Sequence, residues 1–109
     1  MNPIGVLEEQ ILVAVVRTNA DSYGMEVRRE IERVTGREMA IGAVYSTLDR
    51  LEAKGLLKSS RVVVEEQSRR RFELTRKGAH ALTETRAMRE RLWRDVDLGR
   101  LVAFATGTR

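Results

Sequence analysis

The sequence predicts a mainly α-helical fold with one small β-hairpin, on the strength of three observations. Apolar residues recur at helical spacing in four segments of the 109-residue chain. β-Branched residues are concentrated in one stretch, at 56–64, and glycines stand where the second and third helical segments end. A chain of this length normally forms one domain.

The first predicted helix spans residues 4–17, and its apolar residues cover nearly half of its circumference, which indicates burial on more than one side. The second spans 23–35, with apolar residues on one face and charged residues on the other. Gly36 follows where a left-handed C-terminal cap is expected. The apolar positions are Leu7, Ile11, Leu12, Ala14 and Val15 in the first helix and Tyr23, Val27, Ile31 and Val34 in the second.

The third predicted helix spans residues 41–54, and Gly55 ends it as Gly36 ends the second. Two helices joined by a tight turn that contains glycine form a helix-turn-helix. Many helical hairpins share this pattern, so it is a weak signal on its own. The predicted buried positions of the third helix are Ile41, Val44, Leu48 and Leu51.

A β-hairpin is predicted next, with strands at 56–64 and 70–74 and a polar loop at 65–69. Three helices followed by a basic-tipped hairpin make a winged helix-turn-helix, which we assign to residues 1–75. Residues 76–109 form a C-terminal dimerisation helix and tail within the same structural unit, the helix running to about residue 97 with Ala81, Met88, Leu92 and Val96 on one seam. The pattern leaves open whether the apolar stretch 101–104 continues that helix.

Charge is distributed unevenly along the chain, whose net charge is +4. Residues 1–36 carry 4 basic and 6 acidic side chains, residues 37–77 carry 10 and 6, and residues 78–109 carry 6 and 4. A positive field centred on the middle of the chain attracts a polyanion. The alternative interpretation is a well-solvated basic surface that serves solubility.

Composition excludes several classes of function. The chain has no Cys and one His, so disulfides, thiolate metal sites, Cys nucleophiles and His-based metal clusters are excluded. It has no Gly-rich phosphate loop and no catalytic constellation around His80, so we expect neither an enzyme nor a cofactor. The longest apolar run, 11–16, is too short to span a bilayer, and no signal peptide precedes it, so a cytoplasmic location is expected.

The chain resembles the PadR family of bacterial transcriptional regulators over roughly residues 5–82. Taken together the matching motifs are specific, although no single one is. The third helix departs from the family, which commonly begins it with Ser or Ser-Pro where this chain has Ala40 and Ile41. The motifs that carry the resemblance are YGMEV at 23–27, TG at 35–36, GAVYSTLDRLE at 42–52, KGLL at 54–57 and RRRFELTRKG at 69–78.

The third helix and the hairpin hold the candidate DNA contacts. Small and polar residues off the apolar stripe of the third helix let its N-terminus approach phosphate. Tyr45 has two interpretations, a phosphate contact through its hydroxyl or simple packing, and the arginine run at the hairpin tip is either a groove contact or a solvated tip. The candidates are Gly42, Ala43, Tyr45, Ser46, Thr47, Arg50, Arg69, Arg70 and Arg71.

The resemblance implies a homodimeric repressor of a palindromic operator, and some family members release DNA when a small aromatic compound binds. We expect a dimer through the first and last helices, because their apolar seams need burial. Trp93 is then either an aromatic of the dimer core or one wall of an effector cavity. Two alternatives remain, a winged-helix protein-interaction module and a ligand-binding dimer without useful DNA affinity. The expected interface residues are Leu7, Ile11, Met88, Leu92 and Val96.

Overall fold

The computed structural model describes residues 4–107, which form five helices, a two-stranded antiparallel sheet and a 3-10 turn at Asn19–Asp21. No helix in that range is both long enough and apolar enough to cross a membrane. The elements are α1 (Val6–Thr18), α2 (Gly24–Thr35), α3 (Ile41–Ala53), β1 (Leu57–Val64), β2 (Gln67–Leu74), α4 (Arg76–Trp93) and α5 (Leu98–Ala105).

The core lies between α1, α2, α3, the base of the hairpin and the first half of α4. It confirms the predicted apolar stripes of the first three helices, with one exception. Val34 is 55% exposed, because it lines an open groove between α1 and α2, together with Val6 and Val13. The core residues without exposed surface are Ile11, Leu12, Val27, Val44, Leu48, Leu51 and Phe72.

Both predicted glycine caps are present, and α3 begins without a side-chain cap. Gly36 and Gly55 have φ values of 71° and 78°, the left-handed region that ends a helix. No side chain accepts a hydrogen bond at the N-cap Ala40. Instead, Glu32 of α2 accepts a hydrogen bond of 2.9 Å from the backbone N–H of Met39, which fixes the turn before α3.

The hairpin is longer and its turn tighter than the sequence predicts. Strands β1 and β2 pair from Leu57↔Leu74 to Val64↔Gln67, so residues 67–69 belong to a strand and not to a loop. Only Glu65 and Glu66 form the turn, with φ values of 51° and 67°. A two-residue turn with both φ values positive matches the twist of paired strands. The arginine run therefore lies along β2, while the tip is acidic.

The last helix is shorter than predicted and is followed by a separate one. Helix α4 ends at Trp93, and Asp95 has a φ of 66°, which a continuous helix does not allow. Asp97 then caps α5 by accepting a 2.9 Å hydrogen bond from the backbone N–H of Arg100. The apolar stretch 101–104 lies within α5.

The structure divides into two regions at Thr85, the last buried residue of α4 among those described. We call residues 4–85 the winged-helix body and residues 86–107 the C-terminal segment. Gly78 lets the start of α4 pack closely on the rest of the body, because a Cβ at this position would overlap the backbone carbonyl of Leu56. The sequence-based boundary between 75 and 76 stays a prediction.

Candidate nucleic-acid interface

The first two turns of α3 present small side chains to the outside. Gly42, Ala43 and Ser46 are all exposed, and a Cβ added at Gly42 would meet nothing within 4 Å. The backbone N–H groups of Ile41 and Gly42 lack helical acceptors, whereas that of Ala43 donates to the carbonyl of Ala40, and the helix dipole places partial positive charge at this end. This end of α3 is therefore open to an anion such as a DNA phosphate.

Thr47, one of the sequence candidates on α3, belongs to the core. Its side chain is 2% exposed, and its hydroxyl donates a 2.8 Å hydrogen bond to the carbonyl oxygen of Ala43. Helical periodicity turns it toward the buried side, between Val44 and Leu48. It has no surface to offer to DNA.

Tyr45 is 38% exposed, and its ring packs on the start of α2. A Cβ at Gly24 would overlap the ring at Cζ and at the hydroxyl oxygen, so a side chain larger than hydrogen at position 24 would displace the ring. The packing interpretation of Tyr45 therefore describes its ring, and the exposed part of the residue leaves the phosphate-contact interpretation open. The ring packs, and about a third of the residue remains open to solvent.

Arg50, one turn further along α3, shares a buried carboxylate with Lys54. Glu8 is 8% exposed, and its Oε2 lies 2.7 Å from Nζ of Lys54 and 3.6 Å from Nε of Arg50. Mainly through the hydrogen bond from Lys54, the pKa of Glu8 lies below its usual value of 4.5. The longer distance to Arg50 leaves that guanidinium, itself exposed, weakly held and available to an anion.

Each of the three arginines of β2 has a carboxylate partner within the protein. Nη2 of Arg69 lies 3.0 Å from Glu26 of α2, and its guanidinium stacks 4.0 Å from the centroid of the Tyr23 ring. Arg70 pairs with two carboxylates of α3. Arg71 lies 3.3 Å from Glu73 on its own strand. Arg69 and Arg70 thus connect the hairpin to the helices, which the interpretation as a solvated tip did not anticipate.

Two cations that sequence reasoning missed are unpaired within residues 4–107. Arg61 lies on β1 directly opposite Arg70, and Arg37 lies in the turn between α2 and α3; both are exposed. Neither side chain makes a hydrogen bond or ion pair with another described residue. Arg61 stands directly before the β-branched residues Val62, Val63 and Val64 of β1, and a single cation beside that run was the available signal.

The model of the transcriptional regulator PadR-like family matches residues 11–84, about two thirds of the chain. The chain belongs to this family. It is a transcriptional regulator and not an enzyme, as the sequence predicts, and the fold is the winged helix expected of the family.

Individual relatives agree with the family. Transcriptional regulator Rv3488 of Mycobacterium tuberculosis is 40% identical over 86 residues, which cover 79% of this chain and 79% of that protein. A PadR-like transcription factor from Bacteroides fragilis superposes with a TM-score of 0.70 at 25% identity, covering 81% of this chain and 84% of the other. F93 from STIV, a winged-helix DNA-binding protein, has the same fold with a TM-score of 0.67 at 17% identity, covering 88% of this chain and 100% of that one.

The residues expected at the dimer interface of this PadR-family chain fall into two groups. Ile11 has no exposed surface and belongs to the core of the protomer, and Leu7 is half-buried against that core. Met88, Leu92 and Val96 are 38%, 71% and 42% exposed. Trp93, the last residue of α4, is 55% exposed in the same segment.

Proposed function

We propose that this PadR-family regulator binds a palindromic DNA operator as a homodimer and represses transcription. The open first turn of α3, with Gly42 and Ala43 facing solvent, is the observation that supports it most directly. Tyr45, Ser46 and Arg50 continue the same surface. A helix inserted by its N-terminus places such residues against base edges and phosphates.

The hairpin contributes its flank to this interface and not its tip. Glu65 and Glu66 repel phosphate at the tip, whereas Arg61 and Arg69 lie further down the strands. A phosphate contact needs a cation that is accessible, and Arg61 is exposed and unpaired among the described residues. We assign the principal phosphate contact of the wing to Arg61, with Arg69 and Arg71 as secondary contacts that must first release their carboxylates.

The homodimer is proposed from the exposed apolar surface of the C-terminal segment. Met88, Leu92 and Val96 have no covering partner within residues 4–107, and a second copy would bury them. Two-fold symmetry would then set two α3 helices against successive turns of the major groove, about 34 Å apart. Operator binding would keep the protein in the cytoplasm, with the DNA.

An effector site at Trp93 is the remaining part of the proposal. A half-exposed indole near the two-fold axis would form an apolar wall for a planar aromatic compound, whose binding would change the spacing of the α3 helices. Trp93 is the single Trp of the chain, so its fluorescence reports binding directly. Unchanged emission with a panel of planar phenolic and cationic compounds would remove the effector from the proposal.

Selection from a random DNA pool tests the main proposal. We expect the wild-type protein to enrich a palindrome, and Ala43→Glu to bind the recovered site at least about tenfold more weakly, because it adds a negative charge to the α3 surface. Ala79→Glu adds the same charge at an exposed position on α4 and should bind as the wild type does. Without any enriched sequence, the alternative of a ligand-binding dimer that lacks useful DNA affinity would replace the proposal.

A further inference from the structure

Arg70 of β2 joins the hairpin to α3. Its Nη2 lies 2.8 Å from Oδ1 of Asp49 and 2.7 Å from Oε1 of Glu52, both on α3. Its guanidinium carbon lies 4.7 Å from the centroid of the fully buried ring of Phe72, on the same face of β2. The guanidinium is thus bound by two carboxylates and held against the aromatic ring that anchors β2 in the core.

Ser59 extends this contact into a hydrogen-bond network that joins α3, β1 and β2. Its backbone N–H donates a 2.9 Å hydrogen bond to Oε2 of Glu52, and its hydroxyl lies 2.7 Å from the same oxygen. Nε of Arg70 in turn donates to the Ser59 hydroxyl at 3.3 Å. Glu52 therefore contacts both strands, and one carboxylate fixes the angle between the hairpin and α3.

The charges in this network leave little attraction for a phosphate. Two carboxylates surround one guanidinium, whose side chain is 28% exposed. The hydrogen bonds from Ser59 and Arg70 lower the pKa of Glu52, so this carboxylate stays ionised at neutral pH. A phosphate approaching Arg70 would have to displace one of two short, charge-assisted contacts.

We propose that Arg70 is a positioning residue, which fixes the wing relative to α3 and neutralises the α3 carboxylates, and is not itself a phosphate contact. The inference rests on the proposed DNA binding and deepens it, by saying which hairpin arginine acts through protein and which acts on DNA. Arg61, directly across the strand pair, is the matched contrast, because it is exposed and has no carboxylate partner among the described residues.

The two possible roles of Arg70 predict opposite effects for Glu52→Ala. If Arg70 binds phosphate, removing a competing carboxylate frees the guanidinium and strengthens DNA binding. If Arg70 positions the wing, the same substitution releases the wing from α3 and weakens DNA binding, although the protein becomes more positive. Tighter binding by Glu52→Ala would therefore identify Arg70 as a phosphate contact, whereas weaker binding is assigned to Arg70 only together with the Arg70 variants, because Glu52 also binds Ser59 directly.

The experiment compares Glu52→Ala, Arg70→Gln, Arg70→Lys and Arg61→Gln in the full chain, on the palindrome recovered by selection. DNA affinity is measured over a range of salt concentrations, at a temperature where circular dichroism shows each variant folded. A contact that only stabilised the fold would lower Tm and leave the affinity of the folded protein unchanged. Hydrogen exchange at the Ser59 amide is measured in the free protein, which tests the network even if no operator is found.

We expect Glu52→Ala and Arg70→Gln each to weaken binding about tenfold, the effect of one charged hydrogen bond, with Arg70→Lys in between. Arg70→Gln should speed exchange at Ser59 and leave the slope of log affinity against log salt unchanged. Arg61→Gln should lower that slope by about 1 and leave the exchange rate of the Ser59 amide unchanged.

Two outcomes would overturn the proposal. One is tighter binding by Glu52→Ala, and the other is an Arg70→Gln slope lowered by about 1 with an unchanged exchange rate at the Ser59 amide. Failure to recover any palindrome would count against the proposed function, while the Ser59 amide would still decide whether Arg70 holds the wing.

Discussion

The winged-helix body and the C-terminal segment differ in where their apolar side chains lie. The body buries a set of large apolar residues around Phe72, Leu48 and Ile11, all without exposed surface, although Val6, Val13, Val16, Val34, Tyr45 and Val63 stay exposed. In the C-terminal segment no described residue is buried. Its large apolar side chains are 38% to 85% exposed and are Met88, Leu92, Trp93, Val96, Leu98, Leu101, Val102 and Phe104.

The polar contacts follow the same division. Many ion pairs of the body connect different elements, as in Glu8 with Lys54 and Arg69 with Glu26, beside others that lie within one element, such as Arg33 with Glu30. In the C-terminal segment, Arg86 pairs with Glu90 within α4, and Arg89 alone reaches back to α1, where it pairs with Glu9. Burial within one chain therefore stabilises the body, whereas the described residues leave the apolar surface of the C-terminal segment uncovered.

The largest expected effect belongs to the C-terminal segment. Leu92→Asp should weaken the proposed dimer by about a thousandfold or more, because an unpaired charge would be buried in the apolar seam of each copy. The body should remain folded. Sedimentation velocity at micromolar concentration measures the effect, and Thr83→Asp places the same charge at an exposed position on α4 as a control. A monomeric wild-type protein, or an unaffected Leu92→Asp dimer, would contradict the proposed dimer.

The two phenylalanines of the chain test the contrast in stability directly. Phe72→Ala should lower the free energy of unfolding by about 3–5 kcal/mol, since it leaves a cavity in the core. Phe104 is 85% exposed, so Phe104→Ala should change it by less than about 0.5 kcal/mol. Both are measured by urea unfolding in a Leu92→Asp background, which removes association. Similar effects for the two would mean that α5 packs on the body in solution.

Two glycines give a smaller contrast of the same kind. Gly78→Ala should destabilise the protein by about 1–3 kcal/mol, because its Cβ would meet the fixed backbone carbonyl of Leu56. In α5, a Cβ at Gly99 would have only a carboxylate oxygen of Asp97 nearby, at 3.6 Å. Gly99→Ala should therefore stabilise α5 by up to about 1 kcal/mol, through its helix propensity. Thermal unfolding distinguishes the two, and a neutral Gly78→Ala would show that α4 can shift relative to β1.

The smallest expected effect is a loss of stability in acid that originates in the body. Hydrogen bonds from Arg33 and Arg17 lower the pKa of Glu30 to about 2, and the pKa of Glu8 is also lowered. A lowered folded-state pKa means stability that is present above the usual value of 4.5 and is lost as pH falls toward the folded-state value. Tm should therefore fall steadily from about pH 4.5 to about pH 2. Glu8→Gln should reduce the free energy of unfolding at pH 7 by on the order of 1 kcal/mol and make the fall of Tm with pH shallower. If Tm of Glu8→Gln falls as steeply as that of the wild type, Glu8 does not contribute to the loss of stability in acid.

Local sequence signals predicted the body well, because the fold there follows from patterns a few residues long. The spacing of Val27 and Ile31, and of Val44, Leu48 and Leu51, places each on a buried face. Gly36 and Gly55 mark the helix ends by their backbone conformation. The family motifs lie on these same elements, so the resemblance and the periodicity point to one fold.

The rest depended on contacts between residues far apart in the sequence. The carboxylate partners of Arg69 and Arg70 lie 43 and 18 residues away, and no local pattern indicates them. The tight turn at Glu65 and Glu66 lacks the Asn-Gly or Asp-Gly pair typical of its backbone conformation. Val34 fits the apolar stripe of α2 but lines an open groove beside Val6 and Val13 of α1, so periodicity alone could not show that it is exposed.

The contact between Gly24 and Tyr45 links the evolution of two positions 21 residues apart. A larger residue at 24 is compatible with this fold only if position 45 becomes smaller or its ring turns away from α2. Conversely, a small residue at 45 removes the constraint on 24. A lineage in which residue 45 became small would therefore be free to vary at position 24, whereas one that keeps Tyr45 should keep Gly24, and substitutions at the two positions should be strongly epistatic.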